Sequence, residues 1–112
     1  MTIRYGGGRC EVLWGRYAGV GRAAVALRDA ATGEPVATLT VNLPDLDHLL
    51  GDREVFLNHD CVTLGRLPDV LACGLFEATG RSARAGYAEF VILRLVADPP
   101  KTADDDRREV TP

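Results

Sequence analysis

The stretch RAAVALRDAATGEPVATLTVNLP, residues 22–44, decides the fold. Val25 and Leu27 alternate with Ala24, Ala26 and Arg28 on its first arm. Ala37, Leu39, Val41 and Leu43 alternate with Val36, Thr38, Thr40 and Asn42 on its second arm. Between the arms lies the turn-forming run Asp29-Ala30-Ala31-Thr32-Gly33-Glu34. A period of two on both sides of a glycine-containing turn is the pattern of a β-hairpin, because successive strand side chains point to opposite faces. Leu39 and Val41 are therefore expected on the core side beside Val25 and Leu27, with Thr38 and Thr40 facing solvent or a second layer. Pro35 suits the first residue of the returning strand, where its missing N–H costs least.

Working outward towards the N-terminus, residues 10–17 read as a first strand with Val12 and Trp14 on one face. Gly19-Val20-Gly21 turns it into the hairpin. Residues 1–9 are polar and carry Gly6-Gly7-Gly8, and they read as a loose lead-in. No strand precedes these glycines and no Lys-Ser/Thr follows them, so they do not match a phosphate-cradling loop.

Towards the C-terminus, Pro44 ends the second arm. Residues 45–60 read as loop-rich, with a short helical segment over 45–50 capped by Asp45 and a short strand over 54–57. Residues 64–74 are the best helix candidate: Pro68 fits the first turn, Leu67, Val70, Leu71 and Gly74 form an i, i+3, i+4 stripe, and Gly74 is placed to end it. A short strand over 75–79, a loop over 80–86 and a strong strand over 87–96 follow. Both faces of that last strand, Val91/Leu93/Leu95 and Phe90/Ile92/Val96, are apolar, which places it centrally in its sheet. The sum is an α+β fold, a small antiparallel sheet of about five or six strands packed on one helix. Residues 1–97 make a single domain and residues 98–112, with five acids and no apolar periodicity, read as a disordered acidic tail.

Composition narrows the function. At 112 residues the chain is one ordinary domain, with 46% hydrophobic and 26% charged residues. It contains no apolar run of about 18 residues and no apolar leader at its start, so the expectation is a cytoplasmic protein. Cys10, Cys61 and Cys73 are odd in number, widely spaced and without a CxxC, so they read as reduced and structural. The net charge is -3 and the body before the tail is nearly balanced. Strong nucleic-acid binding needs a clustered basic face, which this balance does not favour.

The densest polar cluster is Asp45, Asp47, His48, Asp52, Glu54, His59 and Asp60. None of its spacings matches a metal motif, so no metal and no cofactor are expected, and no catalytic residue is assigned. Asp45, Asp47, Asp52 and Glu54 are instead the candidate partner-binding surface. A thiol–imidazole pair at His59 and Cys61 requires an extended segment to put both on one face. Trp14, Tyr17 and Tyr87 are candidate anchors, more in keeping with core or core-edge positions. Arg16, Arg22, Arg81 and Arg84 flank loops and are available to phosphates. A small metal-assisted enzyme using the Asp/His cluster and a nucleic-acid-binding accessory protein are the alternative readings.

The strand Gly33-Glu34-Pro35-Val36-Ala37-Thr38-Leu39-Thr40-Val41-Asn42-Leu43-Pro44 also resembles a family of small proteins of unknown function from bacterial phages, plasmids and other mobile elements. The similarity continues through Glu54-Val55-Phe56-Leu57, Leu71-Ala72-Cys73-Gly74-Leu75, Thr79-Gly80 and Gly86-Tyr87, and covers most of residues 22–95. It departs at Asn58-His59-Asp60-Cys61, where the family has a basic-aromatic stretch. The resemblance implies a mobile-element origin. Small enzyme-free proteins of this origin include counter-defence factors such as anti-CRISPR proteins. The expected function is therefore a non-enzymatic protein that binds and inhibits a host defence protein, with CRISPR effector complexes among the candidates, and that makes no direct contact with nucleic acid.

Overall fold

The computed structural model describes residues 1–98 and the backbone of Arg108–Val110. The expected hairpin is present as β3 (Ala23–Asp29) and β4 (Pro35–Thr38), paired with Ala26 opposite Thr38 and Leu27 opposite Ala37. Asp29 accepts the N–H groups of Ala31 and Thr32, so the turn is ordered by its own side chain. Val25, Leu27 and Leu39 are buried, as the alternation requires, whereas Val41, expected beside them, is half-buried and packs with Phe56 and Ile92.

The second arm does not stay in one sheet. The Leu39 N–H donates to Val25 O at 2.8 Å, whereas the Leu39 carbonyl accepts from Asn58 N at 2.8 Å. The chain thus changes sheets at Leu39, and β5 (Thr40–Val41) pairs with β6 (Glu54–Leu57). Both sides of the crossing are covered: Leu39 is fully buried and Thr40 is only 2% exposed. The Thr40 hydroxyl takes the Val25 N–H at 3.0 Å and bonds the Tyr17 hydroxyl at 2.9 Å, so a buried polar group is satisfied on both sides. Of the two environments open to Thr38 and Thr40, Thr38 meets solvent and Thr40 the second layer.

The expectation of one sheet of five or six strands on one helix is therefore corrected to two sheets. In the first, β1 (Thr2–Tyr5), β2 (Gly8–Tyr17), β3 and β4 lie in that order, all antiparallel. In the second the order is β5, β6, β8 (Ala88–Leu95), β7 (Phe76–Ala85), also antiparallel. The last strand is interior to its sheet, as its two apolar faces imply. Two short helices, α1 (His59–Thr63) and α2 (Leu67–Ala72), and a 3-10 turn over Pro44–Leu49 fill the connections. The helix expected over 64–74 is shorter, and α1 before it was not foreseen. Asn58 caps α1 by accepting the Asp60 N–H at 3.1 Å.

Two segments read as loops are strands. Ile3 and Tyr5 alternate inward from β1 and are buried. Gly6 and Gly7, both at positive φ, make the two-residue turn into β2, which only glycine enters without strain. Residues 80–86 belong mostly to β7, which passes through a bulge between Ala78 and Arg81 and continues to Ala85. The tail expectation falls largely on residues outside those described; within it, Arg108–Val110 form β9, parallel to β2 at Gly15–Tyr17.

The core lies between the sheets. Val12, Val25 and Leu27 of the first meet Val55, Leu57, Leu93 and Leu95 of the second. A smaller cluster, Phe56, Ile92 and Ala83, lies on the outer face of the second sheet and is covered by Leu46 and Leu50 of the 3-10 segment. At the Gly8 end of β2, α1 and α2 seal the core: the Tyr5 hydroxyl donates to Cys61 Sγ at 3.6 Å, and Asp69 accepts the Gly6 N–H at 2.9 Å. At the other end of β2 the sheets part around a cleft of about 430 Å³. Among the described residues no helix is long and apolar enough to cross a membrane.

Candidate functional site

The acidic stretch between β5 and α1 contains the four carboxylates singled out from sequence, and the fold sorts them into two kinds. Asp47 and Glu54 are held by arginines of this chain. Arg22, at the end of the β2–β3 turn, forks onto Asp47, with Nε to Oδ1 at 2.8 Å and a terminal nitrogen to Oδ2 at 3.2 Å. The same guanidinium donates to the carbonyls of Leu50 at 3.2 Å and Gly51 at 2.6 Å. This two-point geometry fixes orientation as well as proximity. The Asp47 contact is also the main cause raising the Arg22 pKa above its ordinary value.

Glu54 begins β6 and is only 4% exposed. Its carboxylate accepts from the Arg81 guanidinium and from Gly51 N at 2.7 Å, with Arg94 3.6 Å away. The Arg81 hydrogen bond, followed by that of Gly51, holds the Glu54 carboxyl below the ordinary glutamate range against the opposing effect of burial. Arg94 stands opposite both Glu54 and Glu77 in the strand register and binds Glu77 at 2.7 Å, so a charge ladder crosses β6, β8 and β7. Arg81 also donates to Leu49 O at 3.1 Å. The 3-10 segment is thus anchored from beneath by Leu46 and Leu50 and at its edges by Arg22 and Arg81.

Asp45 and Asp52 are the other kind. Both are exposed, and neither meets a hydrogen-bond or ion-pair partner among the described residues. Asp45, His48 and Leu49 are exposed on the 3-10 segment, and Asp52 is exposed in the turn that follows it, where it lines the cleft. The site read from sequence as four equivalent acids is therefore two structural acids and two presented ones. The sequence signal that separates them is faint. A carboxylate at the start of an apolar strand, as in Glu54-Val55-Phe56-Leu57, points to burial, but its arginine partners are far away in the chain.

The remaining candidates are dispersed. His59 and Cys61 lie on a helix, not an extended strand, so a spacing of two turns them to different sides. His59 Nδ1 meets Glu89 O at 3.1 Å and its ring stands edge-on to Phe90. Cys61 is buried against Tyr5, and burial pushes its thiol pKa up, away from the reactive thiolate. Among the described residues no three His, Cys, Asp or Glu side chains come together in a group able to hold a metal ion. Tyr17 is buried, Trp14 is half-buried, and Tyr87 is fully exposed at the β7–β8 turn. Of the loop arginines, Arg22 and Arg81 are engaged as described, Arg16 donates to Gly21 O at 3.1 Å, and Arg84 is exposed.

Comparison of the chain with protein-family models, with curated proteins and with solved structures finds no match.

Proposed function

We propose that this chain is a non-enzymatic protein-binding domain of a phage or other mobile element, and that it acts in the host cytoplasm by binding and inhibiting a host defence protein. CRISPR effector complexes are the first class to test. The observation that carries the reading is the arginine-anchored 3-10 segment, with Asp45 exposed on it and Asp52 exposed in the turn beyond. An anchored segment loses little conformational freedom on binding, which favours affinity. Two presented carboxylates suit a basic partner surface, such as the channel in which a nuclease complex holds nucleic acid. Such complementarity raises the association rate most at low salt. The resemblance of residues 33–44 to mobile-element proteins supports the origin.

The test is a plasmid-interference assay in cells with an active CRISPR system, joined to binding measurements with the purified effector complex. Wild-type protein should protect the plasmid and bind more tightly at low salt than at high salt. The double variant Asp45→Lys/Asp52→Lys should lose roughly tenfold or more in affinity while melting like wild type. Absence of protection and binding across effector types sinks the partner class; unchanged affinity of the double variant sinks the surface.

A further inference from the structure

The cleft at the Trp14 end of β2 shares Asp52 with the presented acids but not Asp45. Trp14, Val55 and Leu95 supply its apolar lining, and Arg16, Asp52, Arg53 and Asp98 are among its charged lining residues. Small-ligand sites are concave and join apolar side chains to placed polar groups, and about 430 Å³ lies within the roughly 300–1,000 Å³ such sites occupy. Two further observations mark it. The indole N–H of Trp14 is shielded from solvent and meets no acceptor among the described residues, an uncommon state for a buried donor. Arg53, on the facing wall, holds a left-handed backbone at φ 62°, fixed by its guanidinium on Leu95 O at 2.9 Å and Ala97 O at 3.2 Å. Strained non-glycine residues of this kind gather at ligand clamps.

The rim charges narrow the ligand. Arg53 is paired with Asp98 at 2.9 Å. Arg16 contacts only a carbonyl, Gly21 O, and Asp52 has no partner among the described residues. Among the described residues, one guanidinium and one carboxylate of the lining therefore have no ionic partner. We infer that the cleft binds a small zwitterion of the α-amino-acid class with a bulky apolar side chain. The ligand carboxylate pairs with Arg16, its ammonium pairs with Asp52, and its side chain rests against Trp14 and Leu95.

Trp14 is the sole tryptophan of the chain, so its fluorescence reports on the cleft directly. Titration with L-phenylalanine and L-leucine should give a saturable change in emission, confirmed by calorimetry. Arg16→Gln and Asp52→Asn should each weaken binding roughly tenfold or more, as loss of a charge-assisted hydrogen bond does. N-acetyl-L-phenylalanine and phenethylamine, each lacking one charge, should weaken similarly. Asp45→Asn should bind these ligands as wild type does, which separates this site from the partner surface of the proposed function. No saturable response to either amino acid overturns the inference. Equal affinity for the singly charged analogues, or for Arg16→Gln, overturns the zwitterion assignment in favour of a non-selective apolar cleft.

Discussion

The two ends of β2, about 30 Å apart for a ten-residue strand, are finished by different means. At the Gly8 end, α1 and α2 cover the gap between the sheets with Cys61 and Val70, both buried. At the Trp14 end no α-helix intervenes among the described residues. There guanidinium groups bridge neighbouring segments: Arg22 reaches the 3-10 segment and Arg53 reaches the end of β8. Apolar closure is non-directional and dry, and every atom removed from it leaves a void. Closure by arginine is directional and wet, and it leaves charges and a cleft at the surface. The first end is built for stability and the second leaves groups available for binding. The candidate carboxylates and the cleft both belong to the second.

The comparison breaks most readily at the helix end. Val70 of α2 is fully buried there, so Val70→Ala should cost about 2–4 kcal/mol in urea denaturation. Arg16→Ala, at the cleft end, should fall within about 0.5 kcal/mol of wild type in the same measurement. Comparable losses for the two variants would remove the distinction.

A smaller effect sharpens it. Glu54→Gln keeps the shape but discards the charge that Arg81 and Gly51 N–H address, and should cost about 1–3 kcal/mol at neutral pH. The sign of its pH dependence follows from the lowered folded pKa. The stabilisation from ionised Glu54 is fully present above the ordinary value of 4.5 and is lost as pH falls from there through the lower folded value. The stability gap between wild type and Glu54→Gln should therefore narrow below pH 4.5, whereas a gap independent of pH would mean that the charge is not the cause.

The smallest expected effect is local. Arg22→Ala removes the fork on Asp47 and the contacts to Leu50 and Gly51, and should cost about 1 kcal/mol globally. Amide exchange at the Leu50 N–H, which bonds Asp47 O, should accelerate more than exchange at Val25 or Leu27. Uniform acceleration would show that the 3-10 segment is held by its leucines and not by the arginine.

Much of the fold is legible in local pattern. The β3–β4 hairpin, its turn, the interior placement of β8 and the short strand β6 follow from alternation and turn residues, which depend only on near neighbours in the chain. The errors differ in cause. Leu39 looks like any inward residue of a continuing strand, yet its two backbone groups serve different sheets. Gly80 looks like a loop residue, yet it marks a bulge within β7. The three glycines at 6–8 look like slack, yet two of them make a hairpin turn. For Leu39 the deciding partner is Asn58, distant in the chain; for Gly6 and Gly7 it is the neighbouring β1, whose four residues are too few to show a clear alternation.

The same division holds for the candidate site. Sequence alone determined that acids concentrate between β5 and α1, that the cysteines have no metal or disulfide spacing, and that a hairpin lies at the centre of the chain. Only the tertiary structure decided which acids are structural and which are presented, because that depends on where Arg22, Arg81 and Arg94 arrive, 25 to 40 residues away from their partners. A carboxylate's role is set by the nearest opposite charge, and only folding determines which charge that is.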